Sequence, residues 1–172
     1  MANTYTLIAS NTLTTTAVSV TFSSIPGTYT DLVLKYSTRA TTTGSTYQNG
    51  KLTFNGSTAS NYSRTQIRGD GSTATSARDA GAEISLQFDS TAADATANTF
   101  NNNEIYIPSY TVSQNKPISA SIAHETNSTT AYTNAVAGLW RVTNAITSIT
   151  LAPAGDNFAS GSSFFLYGIK NS

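Results

Sequence analysis

Apolar and polar residues alternate with a period of two along this chain, and this alternation restricts its fold more than any other feature. Side chains of a β-strand point alternately to its two faces, so an alternating run predicts a strand with one buried face. No segment carries sustained apolar residues at the three- and four-residue spacing of an amphipathic helix. The alternating runs are residues 18–22, 32–36, 52–54, 84–88, 105–107, 118–122 and 149–151.

Turn-forming residues separate these runs. They are Pro26-Gly27, Asn49-Gly50, Asn55-Gly56, residues 69–71, residues 155–157 and Gly161. Two alanine-rich stretches, residues 72–82 and 91–98, lack an apolar stripe, and we predict loops there. Antiparallel strands without helical crossovers predict an all-β fold: a two-sheet antiparallel β-sandwich, jelly-roll-like, forming a single domain over residues 1–172.

The final strand and two uncharged segments predict contacts with other subunits. Residues 163–170 carry apolar side chains at both sets of alternating positions, which predicts a strand covered on both faces. Residues 13–25 and 145–151 carry no charge. Sheet edges are commonly protected by charges or proline, so we expect neighbouring subunits to cover these strands.

The charge content argues against nucleic-acid and membrane partners. Charged residues make up 10% of the chain, and the nine basic residues balance the nine acidic ones without forming a basic run. A nucleic-acid binder needs a basic stripe that displaces counterions from phosphate, and an anionic membrane surface attracts clustered basic residues. The polar surface is instead expected to consist of neutral Ser, Thr and Asn side chains.

Further absences limit the chemistry of the chain. It has no cysteine, so neither a disulfide framework nor a thiolate metal site is available. The opening MANTYTLIAS has no basic segment followed by an apolar run, and no stretch approaches the roughly 20 apolar residues of a membrane span. We therefore expect no signal peptide and synthesis in a cytosol.

The titratable residues give no pattern of a catalytic or metal site. His124 is the only histidine, and its position in a predicted strand end favours a structural role over a general base. Asp70, Asp79, Asp89 and Asp94 are predicted to lie in loops, but their spacing is not that of a calcium-binding loop. We predict no catalytic residues, no metal and no cofactor.

Aromatic residues supply the candidate ligand or partner surface. Tyr47, Tyr62 and Tyr110 are predicted to lie in loops, where their rings would stack on sugars or on another subunit if they cluster. Trp140 is in step with Val136, which predicts a core position. The tripeptide Arg68-Gly69-Asp70 matches an integrin-type motif, but it is also ordinary turn chemistry.

Several longer phrases resemble a family of small virion proteins of tailed bacteriophages. The phrases occur in one order, IP-x-x-Y-T-D-L, F-N-G, GLW followed by AITSITL, and LYGI, within residues 23–40, 52–72, 97–110, 131–158 and 164–170. The resemblance implies a β-sandwich displayed on the particle, in which Pro26-Gly27 starts the strand that Asp31 enters and Asn55-Gly56 closes a hairpin. No catalytic residues carry over from it.

The resemblance implies two alternative functions. The first is a non-enzymatic capsid decoration, or cement, protein on the outer surface of the virion. Its partners would be other virion subunits, above all the major capsid protein. It would also form a homo-oligomer, such as a trimer. The alternative is a tail or head fibre module that binds a host receptor or a host-surface glycan. The absence of a shaft or coiled-coil segment favours the decoration protein.

Overall fold

A computed structural model describes residues 4–127 and 131–170, and within them the chain is entirely β-structure and turns. No helix in these two ranges is long and apolar enough to cross a membrane. The strands are β1 Tyr5–Thr12, β2 Val20–Phe22, β3 Asp31–Ser37, β4 Tyr47–Phe54, β5 Tyr62–Gly69, β6 Ala74–Gly81, β7 Ile84–Thr91, β8 Asn102–Ile107, β9 Lys116–His124, β10 Tyr132–Trp140, β11 Ile149–Pro153 and β12 Ser163–Ile169.

The strands form two antiparallel sheets, which confirms the predicted sandwich. The larger sheet has eight strands in the order β1-β12-β3-β8-β9-β10-β5-β6. The smaller sheet has four strands in the order β2-β11-β4-β7. The chain crosses repeatedly between the sheets, so most consecutive strands lie on opposite sides of the core.

The core lies between the sheets and contains the inward set of each alternating run. Trp140 is 1% exposed, as its spacing predicts, and packs against Phe54 and Tyr62 at ring-centroid distances of 5.5 and 6.2 Å. Gly138 on β10 leaves room for Ile84 of the smaller sheet, because a Cβ at this glycine would lie 2.9 Å from the Ile84 Cδ1 atom. The sheets therefore approach closely at this point.

Two turn predictions need correction. Asn49-Gly50 lies inside β4, at a bulge between Gln48 and Gly50 opposite β7, rather than in a turn. Asn55-Gly56 does form a turn, with φ angles of 52° and 64°. It is not a hairpin, because β4 belongs to the smaller sheet and the next strand, β5, belongs to the larger one.

The predicted loop over residues 72–82 is wrong, because it contains strand β6. This strand pairs with β5 without a register shift, from Gly69 opposite Ala74 to Tyr62 opposite Gly81. Seven of its eight residues are exposed. A strand exposed on both faces has no alternation of apolar residues, so the pattern that revealed the other strands is missing here. In the second predicted loop, residues 91–98, Thr91 is the last residue of β7 and residues 92–98 are turns, as predicted.

The open edges expected at two uncharged segments are corrected in part, whereas the covering of β12 by another subunit stays a prediction. In β12, Phe164 and Leu166 face the core, whereas Phe165 and Tyr167 are only half-buried, so the second face is not fully covered by this chain. Residues 145–151 lead into β11, which lies between β2 and β4 and has no open edge. Within residues 13–25, the only strand is β2, which is three residues long.

Candidate functional site

The outer face of β5, β9 and β10 is an exposed surface without charge, which we name the neutral face. We define it by eight outward side chains that are exposed and that alternate with buried residues. They are Thr65, Ile67, Ser119, Ser121, Ala123, Thr133, Ala135 and Ala137.

Strand register arranges these side chains as a regular grid. Ala135 lies opposite Ile67 on one side and Ser121 on the other, and Ala137 lies between Thr65 and Ser119 in the same way. Directly opposed residues of antiparallel strands lie about 4.5–5.5 Å apart, so small side chains leave a nearly flat surface. The exception is Ile67, which is 58% exposed and projects from it.

The charged residues nearest to the neutral face lie on the two strands that flank it. Arg78 on β6 pairs in register with Thr65, and Glu104 on β8 pairs with Ser121. Glu104 also forms a 3.0 Å ion pair with Lys35. A neutral centre beside charged margins matches one feature of protein interfaces, the depletion of charged residues from their centre.

Two of the three tyrosines predicted to form a ligand surface are core residues. Tyr62 and Tyr110 are both 0% exposed. The Tyr62 hydroxyl donates a 3.3 Å hydrogen bond to the Phe54 carbonyl, and the Tyr110 hydroxyl donates to the Pro26 carbonyl. Burial raises the pKa of both phenols. The prediction of a surface formed by all three is therefore wrong, because these rings complete the core and turn their hydroxyls to backbone carbonyls.

Tyr47 remains partly exposed and belongs to a separate aromatic cluster. Its ring centroid lies 4.4 Å from Phe88 and 5.8 Å from Tyr132, and the rings of Phe88 and Tyr132 stack at 3.9 Å. The Arg68 guanidinium lies 4.9 Å above the centre of the Phe88 ring. Phe88 has a φ of 59°, which is uncommon for a bulky residue and coincides with the irregular pairing of β4 and β7.

A cleft of about 350 Å³ borders this cluster, and Asp70, Glu125 and Tyr132 contribute to its lining. Asp70 lies in the β5–β6 turn, where its Oδ1 atom accepts hydrogen bonds from the backbone N–H groups of Ser72 and Thr73 at 2.9 and 2.7 Å. These bonds lower the pKa of Asp70. The integrin-type tripeptide is therefore part of a hairpin whose own side chains stabilise it.

A layer of buried polar residues lies between the sheets near the C-terminal end of β7. Asp79 and Asp89, which were predicted to lie in loops, are strand residues, and Asp89 is 1% exposed. Burial raises the pKa of Asp89 well above its usual range. The Asp89 backbone carbonyl accepts hydrogen bonds from Thr38 Oγ1 and Asn103 Nδ2 at 2.7 and 2.8 Å.

His124 belongs to this layer and is 1% exposed. Its Nδ1 atom lies 2.9 Å from Asn101 Oδ1. Asn101 Nδ2 donates to the Phe88 carbonyl, which fixes Oδ1 as the acceptor, so the His124 Nδ1 atom carries the proton. The predicted structural role of His124 is consistent with this burial. Among the described residues, no group of three or more His, Cys, Asp or Glu side chains is placed to hold a metal ion.

Comparisons with known proteins give no family for this chain. No model of a known protein family matches it, and no curated protein matches it. Among solved structures, scytalido-glutamic peptidase with a transition-state analogue inhibitor is similar at 10% identity and a TM-score of 0.25. The likeness covers 91% of this chain and 66% of the peptidase chain. So distant a likeness carries no argument about activity.

Sequence reasoning missed the neutral face, although part of its signal was present. Residues 132–140 alternate between buried and exposed positions, but Thr133, Ala135 and Ala137 on one face differ little in hydrophobicity from Asn134 and Val136 on the other. The alternation therefore looked weak. In β5, the inward residues Arg64 and Gln66 are polar, which removed the signal altogether.

Proposed function

We propose that this chain is a non-enzymatic structural protein of a bacteriophage virion, and that it acts as a decoration protein on the outer surface of the capsid. The proposal extends to a homo-oligomer that contacts the major capsid protein and reinforces the junctions between capsomers. The neutral face is the observation that carries this proposal. A fibre module that binds a host receptor or glycan is the alternative.

The neutral face suits this role because it carries no charged side chain. Covering an ion costs solvation energy that a partner must return with good geometry, whereas a Ser or Thr hydroxyl needs only a hydrogen-bond partner and an Ala side chain needs none. Its flat array of Ser, Thr and Ala side chains allows another neutral surface to pack closely against it. The Ser and Thr hydroxyl groups can form hydrogen bonds with that surface. Each copy would bury additional area, and many copies on one shell would add these small contributions together.

The first experiment compares particles with and without this protein. If the protein is a cement, particles lacking it should release their genome at a lower temperature and at a weaker osmotic shock than wild-type particles. Addition of the purified protein to the depleted particles should restore the wild-type release temperature. Unchanged release in both assays would remove the cementing role.

A matched pair of variants tests whether the neutral face makes the contact. Ala135→Glu places a carboxylate at the centre of the neutral face, whereas Thr21→Glu places one on the exposed side of β2 in the opposite sheet. We expect Ala135→Glu to lower occupancy on depleted particles at least tenfold and Thr21→Glu to leave it within about twofold. Equal occupancy of both variants would reject the neutral face as the contact.

The fibre-module alternative now depends on one aromatic cluster. With Tyr62 and Tyr110 in the core, the partly exposed rings near the cleft are Tyr47 and Tyr132. Sugar binding on a glycan array that is lost in Tyr132→Ala and retained in Thr21→Ala would support this alternative. Absence of reproducible binding to any glycan would remove the glycan-binding form of it.

A further inference from the structure

The four free sheet edges differ in how they are protected. Strand β1 carries a bulge between Leu7 and Ala9, and β2 is only three residues long. Strand β7 is capped by the opposite sheet, because Asn134 Nδ2 donates a 3.0 Å hydrogen bond to the Gln87 carbonyl. Bulges, shortness and covering side chains are recognised ways of preventing edge-to-edge pairing.

Strand β6 has none of these protections, and its two charged residues, Arg78 and Asp79, have opposite signs. It is eight residues long, contains no proline and pairs with β5 without a bulge. Every second residue of an edge strand directs its N–H and C=O groups away from the sheet, so β6 presents a row of unused backbone donors and acceptors. Its side chains are exposed on both faces, and therefore nothing in the described part of the chain blocks the approach of another strand.

We infer that β6 is a self-association edge, on which the β6 strand of a second copy pairs antiparallel across a two-fold axis. The inference deepens one part of the proposed function, the homo-oligomer, and it can be tested on the purified protein without a virion. Two antiparallel strands are related by a local two-fold axis, so the edge of a strand is complementary to itself. Such a contact is isologous and closes as a dimer.

The charges of β6 select a register centred on Ala77. In this register Ala77 lies opposite its own copy, Ser76 lies opposite Arg78, and Thr75 lies opposite Asp79. Each charged side chain then faces a hydroxyl group, and no like charges lie directly opposite each other. The chain as a whole has a formal net charge of zero, so two copies do not repel each other.

The size of the contact predicts a weak dimer in dilute solution. One strand edge offers less than the roughly 800 Å² per partner of a standard stable interface. Association should therefore become strong only at high local concentration, as on an assembled surface. A closed trimer would instead require β6 to meet a different edge of its neighbour, and the other three edges are protected.

Cysteine cross-linking tests this register, because the chain has no native cysteine. Ala74, Ala77 and Ala80 are all exposed on β6, which makes them matched positions. Under mild oxidation, Ala77→Cys should form a disulfide dimer at least ten times faster than Ala74→Cys or Ala80→Cys alone. In each of those two variants the cysteines of paired copies lie six residues apart along the strand, or about 20 Å.

Mixing two cysteine variants distinguishes pairing of β6 strands from random collision of the molecules. An equimolar mixture of Ala74→Cys and Ala80→Cys should form a mixed dimer rapidly, because these positions oppose each other. Adding Thr75→Glu to both chains should slow that reaction at least tenfold, since Thr75→Glu then faces Asp79. Equal cross-linking rates for all three single variants and for Ala137→Cys on the neutral face would overturn the inference. So would a rate maximum at another β6 position.

Discussion

Within the larger sheet, the body of the sandwich and the β5–β6 hairpin differ in how deeply their inner side chains are buried. The hairpin extends past the edge of the smaller sheet. In the body, the inner face of β10 carries buried Val136 and Trp140 over the smaller sheet. One strand further on, the inner face of β5 carries buried but polar Arg64 and Gln66. On β6 the inner residues are exposed, because the smaller sheet ends at β7.

This contrast shows that the two parts of the sheet meet different requirements. The body folds because apolar side chains leave water between two sheets. Apart from Tyr62, whose ring belongs to the core, the hairpin is held by its backbone pairing and by Arg64, whose guanidinium lies 2.6 Å from Asp79 in an ion pair. The surface of the hairpin therefore contributes little to folding and is free to contact other subunits.

The largest difference between the two parts should appear when a large side chain is truncated. Trp140→Ala removes the largest fully buried side chain of the body and should lower the free energy of unfolding by about 3–5 kcal/mol. Ile67→Ala on the hairpin, where the side chain is 58% exposed, should change it by no more than about 0.5 kcal/mol. Urea unfolding measures both, and similar losses in the two variants would contradict the contrast.

Two strand glycines give the next comparison. A Cβ at Gly50 in β4 would overlap the buried Asp89 carboxylate, whereas a Cβ at Gly81, the last residue of β6, would meet no atom within 4 Å. Gly50→Ala should therefore cost about 1–3 kcal/mol of stability through overpacking. Gly81→Ala should be neutral or slightly stabilising. Thermal unfolding monitored by circular dichroism distinguishes these outcomes, and a harmless Gly50→Ala would show that the body can relax.

The third comparison concerns the pH dependence of stability. Burial raises the folded-state pKa of Asp89, so the folded chain holds this proton more tightly than the unfolded chain. The free energy of unfolding should therefore fall as pH rises from about 4 through the raised pKa. Asp89→Asn removes this dependence and should be more stable than wild type by about 1–3 kcal/mol at high pH.

The control for this prediction is the difference between the two proteins rather than either curve alone. Other titrating groups are shared and cancel in the difference, which should be smallest below about pH 4 and should grow with pH. Asp70→Asn in the exposed hairpin turn gives the opposite sign, because hydrogen bonds lower the pKa of Asp70. Parallel stability curves for wild type and Asp89→Asn would show that the carboxyl group is not protonated by its burial.

The sequence predicted the body of the sandwich better than the hairpin. Strands such as β7, β9 and β12 were visible because the pleat places their apolar residues toward one core. Strand β6 was not, since exposure on both faces leaves only small polar residues and no periodic signal. Tyr62 and Tyr110 were misplaced because their flanking residues are turn-like, whereas only the tertiary packing shows that their rings complete the core. Burial of Asp89 likewise depends on Gly50, a residue distant in sequence.

Cysteine accessibility on intact particles is the most direct test of the central claim, that the neutral face meets other virion subunits. Ala137→Cys lies on the neutral face, and Thr21→Cys lies on the exposed side of the opposite sheet. We predict equal maleimide labelling of the two cysteines in the free protein and at least tenfold slower labelling of Ala137→Cys on particles. Equal labelling of both positions on particles, or absence of the protein from particles, would contradict the account.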